Sequence, residues 1–135
     1  MQLPSITSGY LAVLALFYAA LCLRVVRLRR TNKTAFGDGG DAALRSAIRA
    51  QAHFAEYVPI TALMVAMLEM SGTGALQVHL LMATLLVARL LHPFGMYVMP
   101  PAPRFLIGRV GGMVLTVLVM MACAVLTLLR LWRGL

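Results

Sequence analysis

The most informative part of this sequence is a polar stretch that leads directly into an apolar segment, and it reads Arg49-Ala50-Gln51-Ala52-His53-Phe54-Ala55-Glu56-Tyr57-Val58-Pro59. Residues 60–68, which follow, are almost entirely apolar. On a helix, Arg49, His53 and Glu56 line one narrow face because they are four and three residues apart, whereas Gln51 falls on roughly the opposite side. Ionisable side chains at or within a bilayer are costly and are kept where they meet partners or water. This stretch is therefore the first candidate for a functional site.

The composition indicates an integral membrane protein. The chain has 135 residues, of which 61% are hydrophobic and 12% charged, and a soluble domain this small could not bury so much apolar surface. Its length predicts a single domain covering residues 1–135. The net charge of +8 comes from basic residues that flank the apolar segments, without the aromatic residues of a nucleic-acid surface. We expect membrane lipid as a partner and no nucleic acid.

Four apolar segments predict an all-α, integral membrane four-helix bundle in which every helix spans the bilayer, since roughly 20 residues cross a hydrocarbon core. Asp41 is the expected N-cap of the second helix. Gly- and Pro-rich segments separate the helices. The predicted helices cover about residues 5–24, 42–70, 75–99 and 105–131.

The distribution of basic residues predicts the orientation. The loop after the first helix carries most of the positive charge, and the loop before the fourth helix adds more, so both loops are expected on the cytoplasmic side and both termini in the periplasm. This topology brings the ionisable residues of three helices to the cytoplasmic end of the bundle. They are Arg49, His53, Glu56, Arg89, His92 and Arg109.

Several arginines around one pocket predict an anionic ligand, because guanidinium groups bind carboxylates and stabilise thiolates. Two structural alternatives stay open: Glu56 only neutralises an arginine on a neighbouring helix, and Arg109 only reaches from a helix start to the membrane interface. His53 and His92 are not expected to bind a metal, since no cysteine or carboxylate completes a ligand set.

Three further features lie outside this cluster. Glu69 is expected to be a solvated helix end at the opposite side of the membrane, and His79 an interface residue nearby. Gly108 and Gly112 form a GxxxG step that suits close helix packing.

The stretch at residues 49–59 resembles the signature of the MAPEG family, the membrane-associated proteins in eicosanoid and glutathione metabolism. That signature has the form Arg-x-Gln-x-Asn-x-x-Glu-Tyr-x-Pro, and every fixed position matches except His53, which stands in place of Asn. Residues 35–40 and 88–95 are similar to the bacterial branch of the family.

The resemblance implies a homotrimer in the bacterial inner membrane, with active sites between neighbouring subunits that face the cytoplasm. Glutathione would be the co-substrate, and a hydrophobic electrophile the second substrate. The activity implied is that of a microsomal-type glutathione transferase or a glutathione-dependent peroxidase. Arg109 best matches the arginine that stabilises the glutathione thiolate, with Arg104 as runner-up. The implied glutathione-binding residues are Arg49, Gln51, His53, Glu56, Tyr57, Arg89 and His92.

Two other classes of function stay open. One is a non-catalytic membrane scaffold of the same fold, whose polar residues only hold the assembly together. The other is a small four-helix transporter, but the first helix contains no acidic residue and Glu56 lies among arginines that would keep it ionised.

Overall fold

The computed structural model describes residues 3–97 and 102–134, and over these ranges the chain is an all-α bundle. The helices are α1 (Ser5–Thr31), α2 (Ala42–Met70), α3 (Ala75–Met96) and α4 (Gly112–Trp132). A π-helical segment, Phe105–Gly111, runs directly into α4. The predicted all-α, four-helix fold is confirmed.

The helix bounds differ from the predictions at three places. α1 continues to Thr31 rather than ending near residue 24, because its arginines are good helix formers and extend the helix beyond the apolar segment. α3 ends at Met96 with Tyr97 as its C-cap, and residues 98–101, which include the last two of its predicted span, lie outside the described residues. The fourth helix starts with π-helical rather than α-helical geometry.

The helices run up and down in sequence around one apolar core. Near one end of the bundle, Val25 of α1 packs with Leu44 of α2, and at the other end Glu69 of α2 reaches the start of α1. Phe54 stacks on the Tyr18 ring at a centroid distance of 5.2 Å, which fixes α2 against α1. The core between these ends is formed by side chains from all four helices, including Leu14, Leu21, Val65, Met82, Leu85, Val119 and Cys123.

Within residues 3–97 and 102–134, three stretches are long and apolar enough to cross a membrane: α1, α3 and the continuous stretch Phe105–Trp132. α2 does not reach the same hydrophobicity. It nevertheless lies along the whole of α1, since Leu44 contacts one end of that helix and Glu69 the other. If α1 crosses the bilayer, α2 must therefore cross the same layers. The outer surface carries large exposed apolar side chains such as Leu16, Leu63 and Leu118, as expected for a surface that faces lipid.

Glu69 is not a solvated helix end, as the sequence suggested, but a buried cap for α1. Its carboxylate accepts hydrogen bonds from the Ile6 and Thr7 amides, both at 2.9 Å, and from the Thr7 hydroxyl at 2.6 Å. Helix N-termini leave unpaired amides and carry partial positive charge, so an ionised carboxylate is a favourable partner there. The predicted cap at Asp41 is confirmed, since its side chain accepts from the Leu44 amide at 2.5 Å.

Glycines allow α3 to approach the fourth helix at backbone contact. A Cβ added at Gly95 would lie 2.2 Å from the Arg109 nitrogen, and one added at Gly108 would lie 2.6 Å from the Gly95 nitrogen. A Cβ at Gly112 would lie 2.7 Å from the Ala88 carbonyl oxygen. The expected role of the Gly108–Gly112 step in close packing is confirmed, and the contact places the π-helical segment directly over the end of α3.

Candidate functional site

Arg89 lies at the centre of a polar cluster inside the bundle. It is 1% exposed, and its guanidinium donates hydrogen bonds to the carbonyl oxygens of His53 at 3.2 Å and Gly112 at 3.3 Å. It also donates to the hydroxyl of Thr116. Within residues 3–97 and 102–134 no carboxylate pairs with Arg89, and its Nε has no hydrogen-bond partner. The buried positive charge is thus met by neutral acceptors alone in this part of the protomer.

Two histidines connect α2 to α3 beside this arginine. His53 Nδ1 lies 3.0 Å from His92 Nε2, and His92 Nδ1 lies 3.2 Å from the carbonyl oxygen of Arg109. His92 is 2% exposed, whereas His53 is half-buried. The two rings therefore form a continuous hydrogen-bonded connection from the interior of the bundle to its surface.

The π-helical segment carries Arg109, whose backbone and side chain have different surroundings. The carbonyl is held by His92, and the side chain is exposed, with its guanidinium carbon 5.3 Å from the centre of the Phe105 ring. π-helical turns are rare and often occur at functional sites, where they change the direction of a side chain. Arg104 is also exposed and lies at the start of this segment.

Arg49 and Glu56 lie on the exposed surface of α2, with Tyr57 half-buried next to them. The Tyr57 ring contacts both parts of the cluster: its centre is 6.4 Å from that of His53 and 5.8 Å from the guanidinium carbon of Arg89. Within the described ranges Glu56 forms no ion pair. The carboxylate and the Arg49 guanidinium are therefore available to a group from outside the protomer.

Gln51 points away from this cluster, as its position on the helix suggested. Its amide donates to the sulfur of Cys22 on α1 at 3.2 Å. Cys22 and Cys123 are both free thiols. In one protomer, Gln51 is thus separated from His53 by the helix itself.

Ionisable residues of α2, α3 and the π-helical segment lie at one end of the bundle, where His53 and Arg109 contact the two α3 residues Arg89 and His92. The guanidinium of Arg24, near the end of α1, lies 4.1 Å from the centre of the Tyr97 ring that follows α3. The Gly95 contact places the Arg109 segment at the same end. Which side of the membrane this end faces stays a prediction.

Two clefts of up to about 500 Å³ in the described part of the protomer are lined by other residues. One lies at the opposite end, between Leu3 and Glu69, and another lies along α1 from Ala20 to Leu28. In the polar cluster Arg89 and His92 are buried, whereas His53 and Tyr57 are partly exposed at the surface of α2. No set of three or more His, Cys, Asp or Glu side chains is grouped as metal ligands would be in the described part of the chain.

Sequence reasoning missed two parts of the cluster. Thr116 and the carbonyl of Gly112 hold the buried arginine, although neither is ionisable. A signal for Thr116 was present, because it follows Gly112 by four residues and so lies on the same face of α4, one turn away.

Comparison with known proteins identifies the family. The sequence profile of the MAPEG family matches residues 7–126. The inner membrane protein YecN, from Escherichia coli strain K12 and from strain O6:H1 CFT073, is 36% identical over 92 residues, which cover 68% of this chain and 70% of YecN. The chain belongs to the MAPEG family. No solved structure is a significant match.

The MAPEG assignment gives the polar stretch of α2 its context. The signature residues Arg49, Glu56 and Tyr57 lie at the surface next to the buried Arg89, and Gln51 faces α1. The one departure from the signature, His53, is the residue that is hydrogen-bonded to His92.

Proposed function

We propose that this MAPEG protein binds glutathione and transfers it to lipophilic electrophiles by attack of the glutathione thiolate. The observation that supports the proposal is that exposed arginines lie beside a buried arginine at one end of the bundle. Arg49 and Arg109 are exposed there, and Arg89 lies beneath them without a carboxylate partner among the described residues. Glutathione is anionic overall, and such a surface favours an anion.

The chemistry requires a thiolate. A free thiol has a pKa of about 8.5 and is mostly protonated at neutral pH, and a nearby guanidinium stabilises its ionised form. Arg109 is the proposed partner of the sulfur, because its side chain is exposed while its backbone is fixed by His92. Arg104, at the start of the same segment, is the runner-up.

We place the protein in the bacterial inner membrane as a homotrimer, with the site between subunits and open to the cytoplasm. The name of YecN, an inner membrane protein, supports the compartment. The exposure of Arg49, Glu56 and Arg109 in one protomer supports a site completed by a neighbour. Lipophilic electrophiles would arrive through the bilayer, and glutathione from the cytoplasm.

The scaffold alternative has one observation in its favour. Arg89 and the two histidines make their hydrogen bonds within the protomer, so the cluster also braces α2, α3 and α4 against each other. A scaffold would bind glutathione weakly or without turnover.

The test is isothermal titration of the detergent-purified protein with glutathione, followed by turnover of chlorodinitrobenzene, a hydrophobic aryl halide. We expect saturable binding that is lost in Arg49→Ala. Arg109→Ala should bind glutathione but lose about 10²-fold in kcat, the usual effect of removing a group that stabilises developing negative charge.

Two arginine variants serve as controls. Arg104→Ala tests the runner-up and should lose less activity than Arg109→Ala. Arg133→Ala removes an exposed arginine at the far end of α4 and should leave turnover unchanged. Full turnover by Arg109→Ala would refute the assigned role, and glutathione binding without turnover by wild-type protein would favour the scaffold.

A further inference from the structure

The hydrogen bonds between Arg109, His92 and His53 have a defined direction. A carbonyl oxygen can only accept a hydrogen bond, so the Nδ1 of His92 carries the proton that is donated to Arg109. His92 is buried and lies three residues from Arg89 on the same helix, and a second buried positive charge there would be costly, so its imidazole is neutral. Its Nε2 is then an acceptor.

This assignment determines the tautomer of His53. Because His92 Nε2 accepts, His53 Nδ1 must donate across the 3.0 Å contact. The remaining nitrogen of a neutral His53, Nε2, then carries a free lone pair. His53 could take up a proton at Nε2 without breaking either hydrogen bond of the connection.

The His53 side chain is partly exposed at the surface of α2. Among the described residues none forms a hydrogen bond with its Nε2, whereas its Nδ1 faces His92. The charged groups that act on this ring come from three elements. Glu56 and Arg49 lie on α2, Arg89 lies on α3, and Arg109 lies on the π-helical segment; the titratable rings in contact with His53 are Tyr57 and His92.

We propose that the Nε2 of His53 accepts the thiol proton of glutathione, and that His92 is the positioning residue that keeps this nitrogen unprotonated. The proposal rests on the proposed transferase function and adds the proton acceptor. An asparagine, the usual residue of the signature at this position, has no nitrogen that can take up a proton at neutral pH.

With an aryl halide as the second substrate, glutathione loses its thiol proton and gains the aryl group. The sulfur–hydrogen bond of glutathione breaks, its electron pair stays on the sulfur, and the proton forms a bond to Nε2. The sulfur uses this electron pair to bond to the ring carbon of the aryl halide. The carbon–chlorine bond then breaks, and chloride leaves with the electron pair of that bond. The proton passes from the imidazolium to water, which restores the neutral His53.

The test compares three histidine variants of the assembled protein in detergent. His53→Asn restores the usual residue of the signature and removes the proton acceptor. His92→Phe removes the group that orients His53. His79→Asn is the matched control, because His79 is exposed at the opposite end and contacts Tyr10.

The measurements separate proton transfer from binding. We expect the kcat/KM of His53→Asn at neutral pH to fall by about 10²-fold, a typical contribution of a general base. Its pH profile should rise at a higher pH than that of the wild-type protein, because the thiol must then ionise without an internal proton acceptor. The ultraviolet absorbance of bound thiolate should also be lower in this variant. S-methylglutathione, which has no thiol proton, should bind to the variant with the same affinity as to the wild-type protein.

His92→Phe should lower kcat with little change in the KM for glutathione, as expected for a residue that acts through His53. Nitrogen NMR of the unliganded protein should show the proton on Nδ1 of both His53 and His92. If His53→Asn does not fold, His53→Gln takes its place.

Three opposite results would each refute a different part of the proposals. A wild-type pH profile in an active His53→Asn variant, or an Nε2 proton on His53, refutes the proton-acceptor role and leaves the transferase function standing. Loss of S-methylglutathione binding in that variant makes His53 a binding contact instead. Failure of folded wild-type protein to bind glutathione overturns both proposals.

Discussion

Gly95→Ala is expected to destabilise the bundle by forcing α3 away from the π-helical segment. An alanine Cβ at this position would lie 2.2 Å from the Arg109 nitrogen, 2.8 Å from the Gly108 carbonyl carbon and 3.0 Å from the Arg104 oxygen. All three are backbone atoms, so no change of rotamer relieves the overlap. Ordinary contact begins at 3.4 Å, so the two backbones must separate by about 1 Å.

The cost follows from the contacts that this separation weakens. A gap of roughly 0.5–1 Å loses between a quarter and a half of the van der Waals attraction at each contact. Overpacked sites typically cost about 1–3 kcal/mol, and we place this one at the upper end because only backbone is available to yield. Alanine returns about 1 kcal/mol through its higher helix propensity. The free energy of unfolding should therefore fall by about 2 kcal/mol.

The assay is reversible unfolding of the purified protein by sodium dodecyl sulfate, followed by far-ultraviolet circular dichroism. Gly111→Ala is the matched control within the π-helical segment, because its Cβ would meet only the Leu106 oxygen at 3.5 Å. Gly9→Ala lies in open space on α1 and should stabilise by about 0.5–1 kcal/mol. If Gly95→Ala unfolds at the same denaturant concentration as Gly111→Ala, the close backbone contact is refuted.

Two further predictions concern carboxylates outside the candidate site. Glu69→Gln should lower the free energy of unfolding by about 1–2 kcal/mol in the same assay, since it weakens the cap on the first turn of α1, whereas Glu56→Gln, on the exposed face, should have little effect. The Arg45 side chain donates a hydrogen bond to Asp38 and holds the pKa of that carboxyl below its ordinary value. The contact therefore stabilises the loop at pH values above the unfolded-state pKa of Asp38, and this stabilisation is lost as the pH falls through the lower folded-state pKa. Carbon NMR should show the Asp38 pKa rising in Arg45→Ala, and an unchanged pKa would exclude the contact in solution.

The elements of the fold that depend on local pattern could be predicted from the sequence. α2 was bounded correctly because Asp41 caps its start and a glycine-containing turn follows its end. The extension of α1 to Thr31 was missed because an arginine run marks the end of an apolar segment but does not end a helix. Hydropathy locates the membrane, whereas helix propensity and capping locate the helix end.

Features that depend on contacts between helices could not be predicted. Glu69 looks like an exposed helix end in sequence, and its partners on α1 are 62 and 63 residues away. The π-helical geometry has no local pattern of its own, and here it accompanies the backbone approach of α3 at Gly95. The up-and-down order of the helices is enough to predict that His53 and His92 lie at the same end of the bundle. Their direct hydrogen bond depends on the rotation of α2 and α3 about their axes.

The energetic cost of the polar cluster supports the proposed ligand over a purely structural role. Burying a guanidinium among neutral acceptors costs more than packing an apolar side chain of similar volume, so a bundle that served only as a scaffold would gain from replacing Arg89. The cluster also reaches the surface at His53, beside the open Arg49 and Glu56. An anion bound there would supply the negative charge that no described carboxylate provides to Arg89. It would also lie next to the partly exposed side chain of His53, so charge recognition and proton transfer would take place in one location.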